Sequence, residues 1–454
     1  MSFARKYGIS KLRIQKAEEM ESRQPKMAGQ TPIDTLIGSL PMFLSMVSLA
    51  FLLSLPQALI YRFVMREWFS GEEIAFHLFP FIAVPLLMGM LYGPSLTISV
   101  GFVVTAFIWA ASSFNPCTFI VAMTSTIFIA VRAPRLRRNS DVWHLLGNLI
   151  FYQVFVAIAV MVAQRYLLSA TEITPIYVIT QFVGMFIFAF IGVILALYIF
   201  LPIIEKISGR ISDYSLMRYT NVGSQLLLRL SREAPGTYAH TLTVADLAQA
   251  AADAIGADGL LARVGAFYHD VGKLSRPALF MENQSGKENP HNPLPPSISR
   301  MIIAGHVKEG LILAQGEKLP PAVLRIIATH HGTTNMQWFK LKAEEQAAAS
   351  PAGIGRNGAA TTDGFYRYQG PLPKSREETI VMIADSVEAA SRSLGVPDIK
   401  AVSSLVDKII LGKLTDGQFA SSEITCHELD IIKGSLVSSV IHHLHSRKAY
   451  PPKR

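Results

Sequence analysis

The sequence predicts an all-α protein in two parts: a polytopic helical membrane domain, then a cytoplasmic all-α bundle. Three observations lead there. Half of the 454 residues are hydrophobic and only 17% are charged, giving a mean hydropathy of +0.33 that a soluble domain seldom reaches. The apolar excess is concentrated between about 36 and 204, and the remainder has ordinary globular composition. From 234 onward apolar residues recur at helical spacing, with no sustained period-two alternation.

Residues 1–36 form a basic segment (Arg5, Lys6, Lys11, Arg13, Lys16), expected on the cytoplasmic side. Residues 37–204 read as about six spans, near 37–60, 76–92, 94–112, 116–132, 142–164 and 174–201, each close to the ~20 residues a bilayer requires. "YGPS" and "SSFNP" supply turn chemistry between spans. An inside N-terminus puts the Arg-rich loop "VRAPRLRRNSD" (131–141) inside, and the sixth span returns the chain to the cytoplasm. A seventh span within 174–201 would break this parity. No cleavable signal peptide is expected, because the apolar run begins late and is too long. The spans carry Gln153 and Gln181 but almost no ionisable residue at depth, which argues against coupled transport. Anchoring, sensing and homo-oligomerisation remain open. The net charge of +9 flanks the apolar spans, so lipid headgroups rather than a nucleic acid polymer are its expected partner. Cys117 and Cys426 lie in unlike contexts, so neither a disulfide framework nor a thiolate metal site is expected.

Residues 205–233 read mainly as a linker helix, and 234–454 as the bundle. "HTLTVADLAQAAADAI" carries an apolar stripe, and "LLARVGAFYHDVGKL" follows it, broken by Gly272. "PPSISRMIIAGHVKEGLILAQ" and "PPAVLRIIATHHG" both open on prolines suited to a first turn. "SREETIVMIADSVEAASRSL" opens with a capping box, Ser375 to Glu378. Polar residues sit where such helices want apolar ones. His240 precedes the first helix; His269 and Asp270 end the second; His306 is mid-helix; His330 and His331 close the fourth; Asp385 lies among Ile380, Val381, Ile383 and Val387. A buried carboxylate is costly unless paired or metal-bound. Five histidines and two aspartates are too many for one tetrahedral site, but suit two borderline divalent ions sharing a bridging aspartate.

His240, His269-Asp270 and Asp385 match the H…HD…D pattern of HD-domain metal-dependent phosphohydrolases. "APGTYAHTLTVADLAQAAADAIGADGLLARVGAFYHDVGKLSRP", "ENQ", "NPH", "HVKEG", "HHGTT" and "ADSVEAASRSL" resemble the seven-transmembrane HD family (HDIG type), whose characterised members are bacterial cyclic di-AMP phosphodiesterases. The resemblance implies a bacterial inner-membrane protein with a cytoplasmic HD domain and two divalent ions, manganese or iron before zinc. One ion would be held by His240, His269, Asp270 and Asp385, the other by Asp270, His306, His330 and His331. It further implies that Asp270 bridges the ions, that Lys273 reaches a phosphate oxygen, and that a shared hydroxide displaces the ribose 3′-oxygen, opening cyclic di-AMP to 5′-pApA.

The family's large extracytoplasmic domain is expected to be missing, since about 36 residues precede the first span. HD relatives that cleave cyclic di-GMP carry Gly-Tyr-Pro after the paired histidines, where this chain has "HHGTTNMQWF", which favours adenine. Arg276, Asn283, Thr333 and Thr334 are candidate substrate contacts, with turn and surface roles as alternatives. Residues 342–364 read as a disordered insertion. His442, His443 and His445 read as surface or packing residues, Asp416 as a turn residue, and Gly236 and Tyr238 as setting the approach to His240. The rival readings are an HD hydrolase of another nucleotide and a non-catalytic nucleotide-binding membrane receptor.

Overall fold

The structure, a computed structural model, describes residues 82–111, 116–168, 186–187, 189–220, 224–284, 289–349, 364–394 and 398–446. Among these the chain is helical with no β-strand; one isolated antiparallel bridge joins Asn335 and Arg367. It divides into two compact units, one ending at Met217 and the other beginning at Arg218.

In the first unit, α1 (Ala83–Tyr92), α2 (Pro94–Ala111), α3 (Pro116–Arg132), α4 (Asn139–Leu168) and α5 (Ala189–Ser208) surround a core that includes Leu86, Ile129, Leu149 and Leu201. Gly93, at φ +79°, separates α1 from α2, which opens on Pro94. On α4, Gln153 turns inward and donates to Ser125 Oγ at 3.0 Å. Phe151, Phe155, Ile158 and Val162 of the same helix are exposed. A π-turn at Ala196–Phe200 precedes Pro202, which has no N–H to continue the regular ladder. Among the described residues, Ala189–Ser208 is the one helix long and apolar enough to cross a bilayer by length and composition, with a hydropathy of 2.2; Ala83–Tyr92 and Pro94–Phe107 are apolar but shorter. The span expected at 37–60, and residues 76–81 and 174–185 of two others, lie outside the described residues, as does Gln181.

The expected linker helix at 205–233 is broken. Gly209 ends α5 in the left-handed region, and Ser212, whose hydroxyl donates to Glu205 at 2.7 Å, caps a short turn at Asp213–Leu216. Residues 221–223 lie outside the described residues.

The second unit is a bundle of α6 (Gln225–Glu233), α7 (Pro235–Ala254), α8 (Gly259–Tyr268), α9 (Pro296–Gly316), α10 (Pro321–Thr329), α11 (Gln337–Ala349), α12 (Arg376–Ser391), α13 (Ile399–Thr415) and α14 (Cys426–Ser446). α7 packs against α6, α8, α12 and α14. Pro296 and Pro321 take the first helical position of α9 and α10, as the sequence predicts. The capping box at α12 is formed in part: Glu378 N–H donates to Ser375 Oγ, while Glu378 Oε2 accepts from Lys374 N–H rather than from Ser375. Residues 342–349 of the expected insertion belong to α11, and 350–363 lie outside the described residues. The chain then pairs back: Met336 N–H donates to Tyr366 O at 2.8 Å, and Tyr368 N–H to Thr334 O at 3.1 Å.

Candidate metal centre

Five helices and one tight turn deliver the predicted donors. His240 lies inside α7, not before it, because Pro235 starts the helix a turn earlier than the apolar stripe suggests. His269 caps α8 and Asp270 opens the 3-10 turn Val271–Ser275. Gly272 brings that turn against α9; a Cβ there would overlap the His306 carbonyl oxygen. His330 caps α10, and Gly332 at φ +51° turns the chain away after His331. Asp385 projects from α12.

These side chains converge as two groups, His240-His269-Asp270-Asp385 and Asp270-His306-His330-His331, with donor atoms in each within 4.8 Å of one another. Asp270 is common to both, and its two oxygens divide the work. Oδ2 lies 3.4 Å from His240 Nε2 and 3.2 Å from His269 Nε2. Oδ1 lies 3.3 Å from His306 Nε2 and 3.8 Å from His330 Nε2. Asp385 Oδ1 is 3.1 Å from His240 Nε2, and its Oδ2 is 3.7 Å from His331 Nδ1.

Backbone carbonyls fix the ring tautomers. His269, His306 and His330 each direct Nδ1 at a carbonyl three residues back, at 2.7, 2.6 and 2.7 Å. A carbonyl only accepts, so Nδ1 carries the proton and a neutral ring aims a bare Nε2 lone pair inward. His306 Nε2 and His330 Nε2 then face each other at 3.2 Å. Two lone pairs at that distance repel unless a cation lies between them. His269 Nε2 and Asp270 Oδ1 are moreover buried without a hydrogen-bond partner. The donor set therefore fits divalent metal ions.

Electrostatics divides the two groups. Burial drives His330 down to about 3 and lowers His306 and His331, so these rings are neutral at physiological pH. Burial also opposes charge on His240 and His269, but the carboxylates of Asp270 and Asp385 outweigh it. His269 is raised to about 9. Asp270 and Asp385 are held well below the usual carboxylate range despite burial, Asp270 mainly by Lys273 and His269, Asp385 by His240 and His269.

Several residues in the shell were not singled out from sequence. Glu388 Oε2 lies 2.6 Å from His240 Nδ1, a carboxylate-histidine pairing typical of metal sites. Its signal was available: a carboxylate three residues after Asp385 in an apolar helix. Tyr368 stacks on His331 with centroids 4.2 Å apart, and Glu282 pairs with Lys273 at 2.7 Å. Lys273 Nζ also lies 2.8 Å from Asp270 Oδ2.

The candidate substrate contacts are scattered. Arg276 lines a pocket beside His306. Asn283 accepts from Thr237 N–H and donates to Thr237 Oγ1, locking the start of α7. Thr333 is bound through both its N–H and its hydroxyl to Gln418, and the Thr334 hydroxyl is buried without a partner. Asp416 sits at the C-terminus of α13, as a turn residue would, and also chelates Arg367 at 2.8 and 3.0 Å. His443 is half-buried, 3.9 Å from Asp246; the His445 side chain lies outside the described set.

A family profile described as HD domain matches residues 237–390, and one described as 7TM receptor with intracellular HD hydrolase matches residues 36–212. The chain is 38% identical over 301 residues to cyclic-di-AMP phosphodiesterase PgpH of Bacillus subtilis (strain 168), covering 66% of this chain and 40% of that protein. It is 39% identical over 251 residues to the PgpH of Listeria monocytogenes serotype 1/2a (strain 10403S), covering 55% of this chain and 33% of that one. A crystal structure of the L. monocytogenes phosphodiesterase PgpH HD domain in complex with cyclic-di-AMP aligns at 41% identity and TM-score 0.45, over 50% of this chain and 99% of that one. The chain thus spans less than half the length of the curated relatives it matches. The membrane profile thus precedes the HD profile along one polypeptide, the order that the description of a 7TM receptor with intracellular HD hydrolase implies.

Proposed function

We propose that this chain is a membrane-anchored, metal-dependent phosphodiesterase that hydrolyses cyclic di-AMP to 5′-pApA. The observation that carries the reading is Asp270, whose two buried oxygens each face a different cluster of histidine nitrogens. Such a carboxylate suits a binuclear centre, with His240, His269 and Asp385 on one side and His306, His330 and His331 on the other. The ions, manganese or iron on this donor set, would supply Lewis acidity toward phosphoryl oxygens and make water more acidic at neutral pH. The substrate comes from relatives named for cyclic-di-AMP phosphodiesterase activity.

The protein's own groups have definite tasks in this reading. The Nδ1–H bonds of His269, His306 and His330 hold each ring's Nε2 on the centre before substrate arrives. Lys273 has three N–H donors; Asp270 and Glu282 take two, leaving one for a phosphate oxygen as charge develops there. His331, about a fifth exposed, is the most open of the histidine donors and marks the side from which a phosphodiester enters. For the membrane half, the 7TM profile, the apolar helix Ala189–Ser208 and the exposed apolar face of α4 support insertion of several spans, with the HD unit cytoplasmic.

The test is hydrolysis by the purified, Mn²⁺-loaded full chain, given cyclic di-AMP and cyclic di-GMP in parallel, with Asp270→Ala as control. Release of pApA that disappears in the variant is the expected result. Cleavage of only the guanine dinucleotide would overturn the substrate. Absence of any turnover with two ions bound per chain would turn the reading into that of a nucleotide receptor.

A further inference from the structure

Along α4, His144, Asn148, Phe151, Phe155, Ile158 and Val162 are all exposed. The steps between them alternate between four residues and three, a period of about 3.5 rather than the 3.6 of a straight helix. That is the seam of a left-handed coiled coil, with Asn148, Phe155 and Val162 at the a positions and His144, Phe151 and Ile158 at d. Beside the seam is Gly147, where an added Cβ would meet nothing within 4 Å. That flank is open to the close approach of another backbone.

Lipid tails would satisfy the apolar members of this row, but not Asn148. α4 starts directly after Arg137 and Arg138 of the basic loop, and Trp143 follows one turn later, at the level where interfacial tryptophans sit. Asn148 lies about 7.5 Å farther along the helix axis, within the hydrocarbon. In the same unit Thr97, Ser99, Thr124 and Ser125 each donate to the carbonyl four residues back, and Gln153 donates to Ser125. Asn148 has no hydrogen-bond partner among the described residues. An amide left unpaired at that depth is strongly unfavourable. Its N–H donors and its carbonyl acceptor match those of another asparagine, so across a two-fold axis the residue is its own complement.

We propose that α4 is a homodimer seam, along which two copies of this chain pair in the membrane with Asn148 meeting the same residue of the second copy. The pairing is parallel because both copies share one topology in the bilayer, and a residue at an a position then faces its own counterpart. Slipping the register would set each amide against a phenylalanine, so the asparagine pair fixes the alignment at the cytoplasmic end. Phe151, Phe155, Ile158 and Val162 continue the contact deeper along the helix, and His144 ends it beside the basic loop. The seam rests on the membrane-insertion reading and adds a partner to it.

The test uses the full chain in proteoliposomes. In a Cys117→Ser background, copies labelled separately with donor and acceptor dyes at the exposed Cys426 report association by energy transfer as the lipid-to-protein ratio is varied. Asn148→Ala should raise the dimer dissociation constant about 3- to 20-fold, the range given by interhelical hydrogen bonds in membranes. Ile127→Ala, exposed on α3, should leave it unchanged. In native membranes, with both cysteines replaced by serine, oxidation should join Phe151→Cys chains into a species of twice the chain's mass and leave Ile127→Cys chains single. Absence of energy transfer at every ratio, or an Asn148→Ala constant equal to that of the wild type, overturns the seam. So does a Phe151→Cys adduct with a different protein. Release of the protein by alkaline carbonate would sink the membrane reading and the seam with it, whereas a carbonate-resistant monomer sinks the seam alone.

Discussion

Glu388 has its two oxygens committed in different directions, Oε2 to His240 Nδ1 at 2.6 Å and Oε1 to Arg392 Nε at 2.9 Å. A ring held this way presents Nε2 to the centre in one orientation and with raised basicity. Glu388→Ala is therefore expected to weaken metal binding by about 10–100-fold, read by titrating Mn²⁺ into chelator-stripped protein. Glu388→Gln, still an acceptor for Nδ1–H, should recover part of that loss; equal affinities in all three proteins would show the ring is positioned otherwise. The raised His240 and His269 give a second prediction. In stripped protein their protonated rings stabilise the fold fully below the ordinary histidine pKa of about 6.5, and this contribution fades as pH rises through about 9, the value for His269. Metal must displace those protons, so apparent affinity should climb with pH across that window and protons should be released on loading near neutrality. A pH-independent affinity would mean both rings are already neutral. The seven donors were readable because each stands out locally, a polar residue at a helix end or in an apolar stripe. Glu282 and Tyr368 were not: each touches the site across a fold-dependent gap in sequence.

Around the paired histidines, elements far apart in sequence form a clamp. Gln418, fully buried after α13, accepts from Thr333 N–H at 2.9 Å and donates to Thr333 Oγ1 at 3.0 Å. Asp416 chelates Arg367, which in turn donates to the Thr333 carbonyl at 2.9 Å. The loop after His331 is thus held by α13 and by the segment that pairs with 334–336. Gln418→Ala should loosen this loop and lower the affinity of the His306-His330-His331 group first, so metal content by elemental analysis should fall from two ions toward one per chain. Retention of both would confine the clamp to packing. Nothing in "LTDGQF" announces this role, since the chain crosses α11 and 350–363 before Arg367 returns. Helix starts were more legible, because caps are local. The start of α14 carries a full capping box: Thr425 Oγ1 accepts from Glu428 N–H, and Glu428 Oε2 accepts from Thr425 N–H. Thr425→Ala should cost about 1 kcal/mol, seen as a lower melting temperature. Burial would raise Glu428, but its bonds to Thr425 and Arg376 lower it. The box's contribution is therefore present above the ordinary carboxylate range and is lost as pH falls through the lowered value.

Across the whole molecule, the apolar first half and the ordinary second half divide near the boundary between the two compact units. Composition foretold that division because membrane insertion selects residues over long windows, whereas the break at Gly209 depends on one left-handed residue. Orientation remains an argument about charge: the basic N-terminal segment and the Arg-rich loop at 131–141 both fall inside if an even number of spans precedes the HD unit. Cys426, exposed at the start of α14, makes the argument measurable. In a Cys117→Ser background it is the remaining thiol of the sequence. A membrane-impermeant maleimide added to intact spheroplasts should leave the protein unlabelled and should label it after permeabilisation. The protein should also stay in the pellet through alkaline carbonate and leave it only with detergent, as spanning helices require. Labelling of intact spheroplasts would put the histidine cluster outside, away from a cytoplasmic nucleotide. An odd number of spans before Arg218, such as a seventh within 174–201, would then be needed to keep the arginines inside, and the charge argument and the site would have to be reconciled span by span.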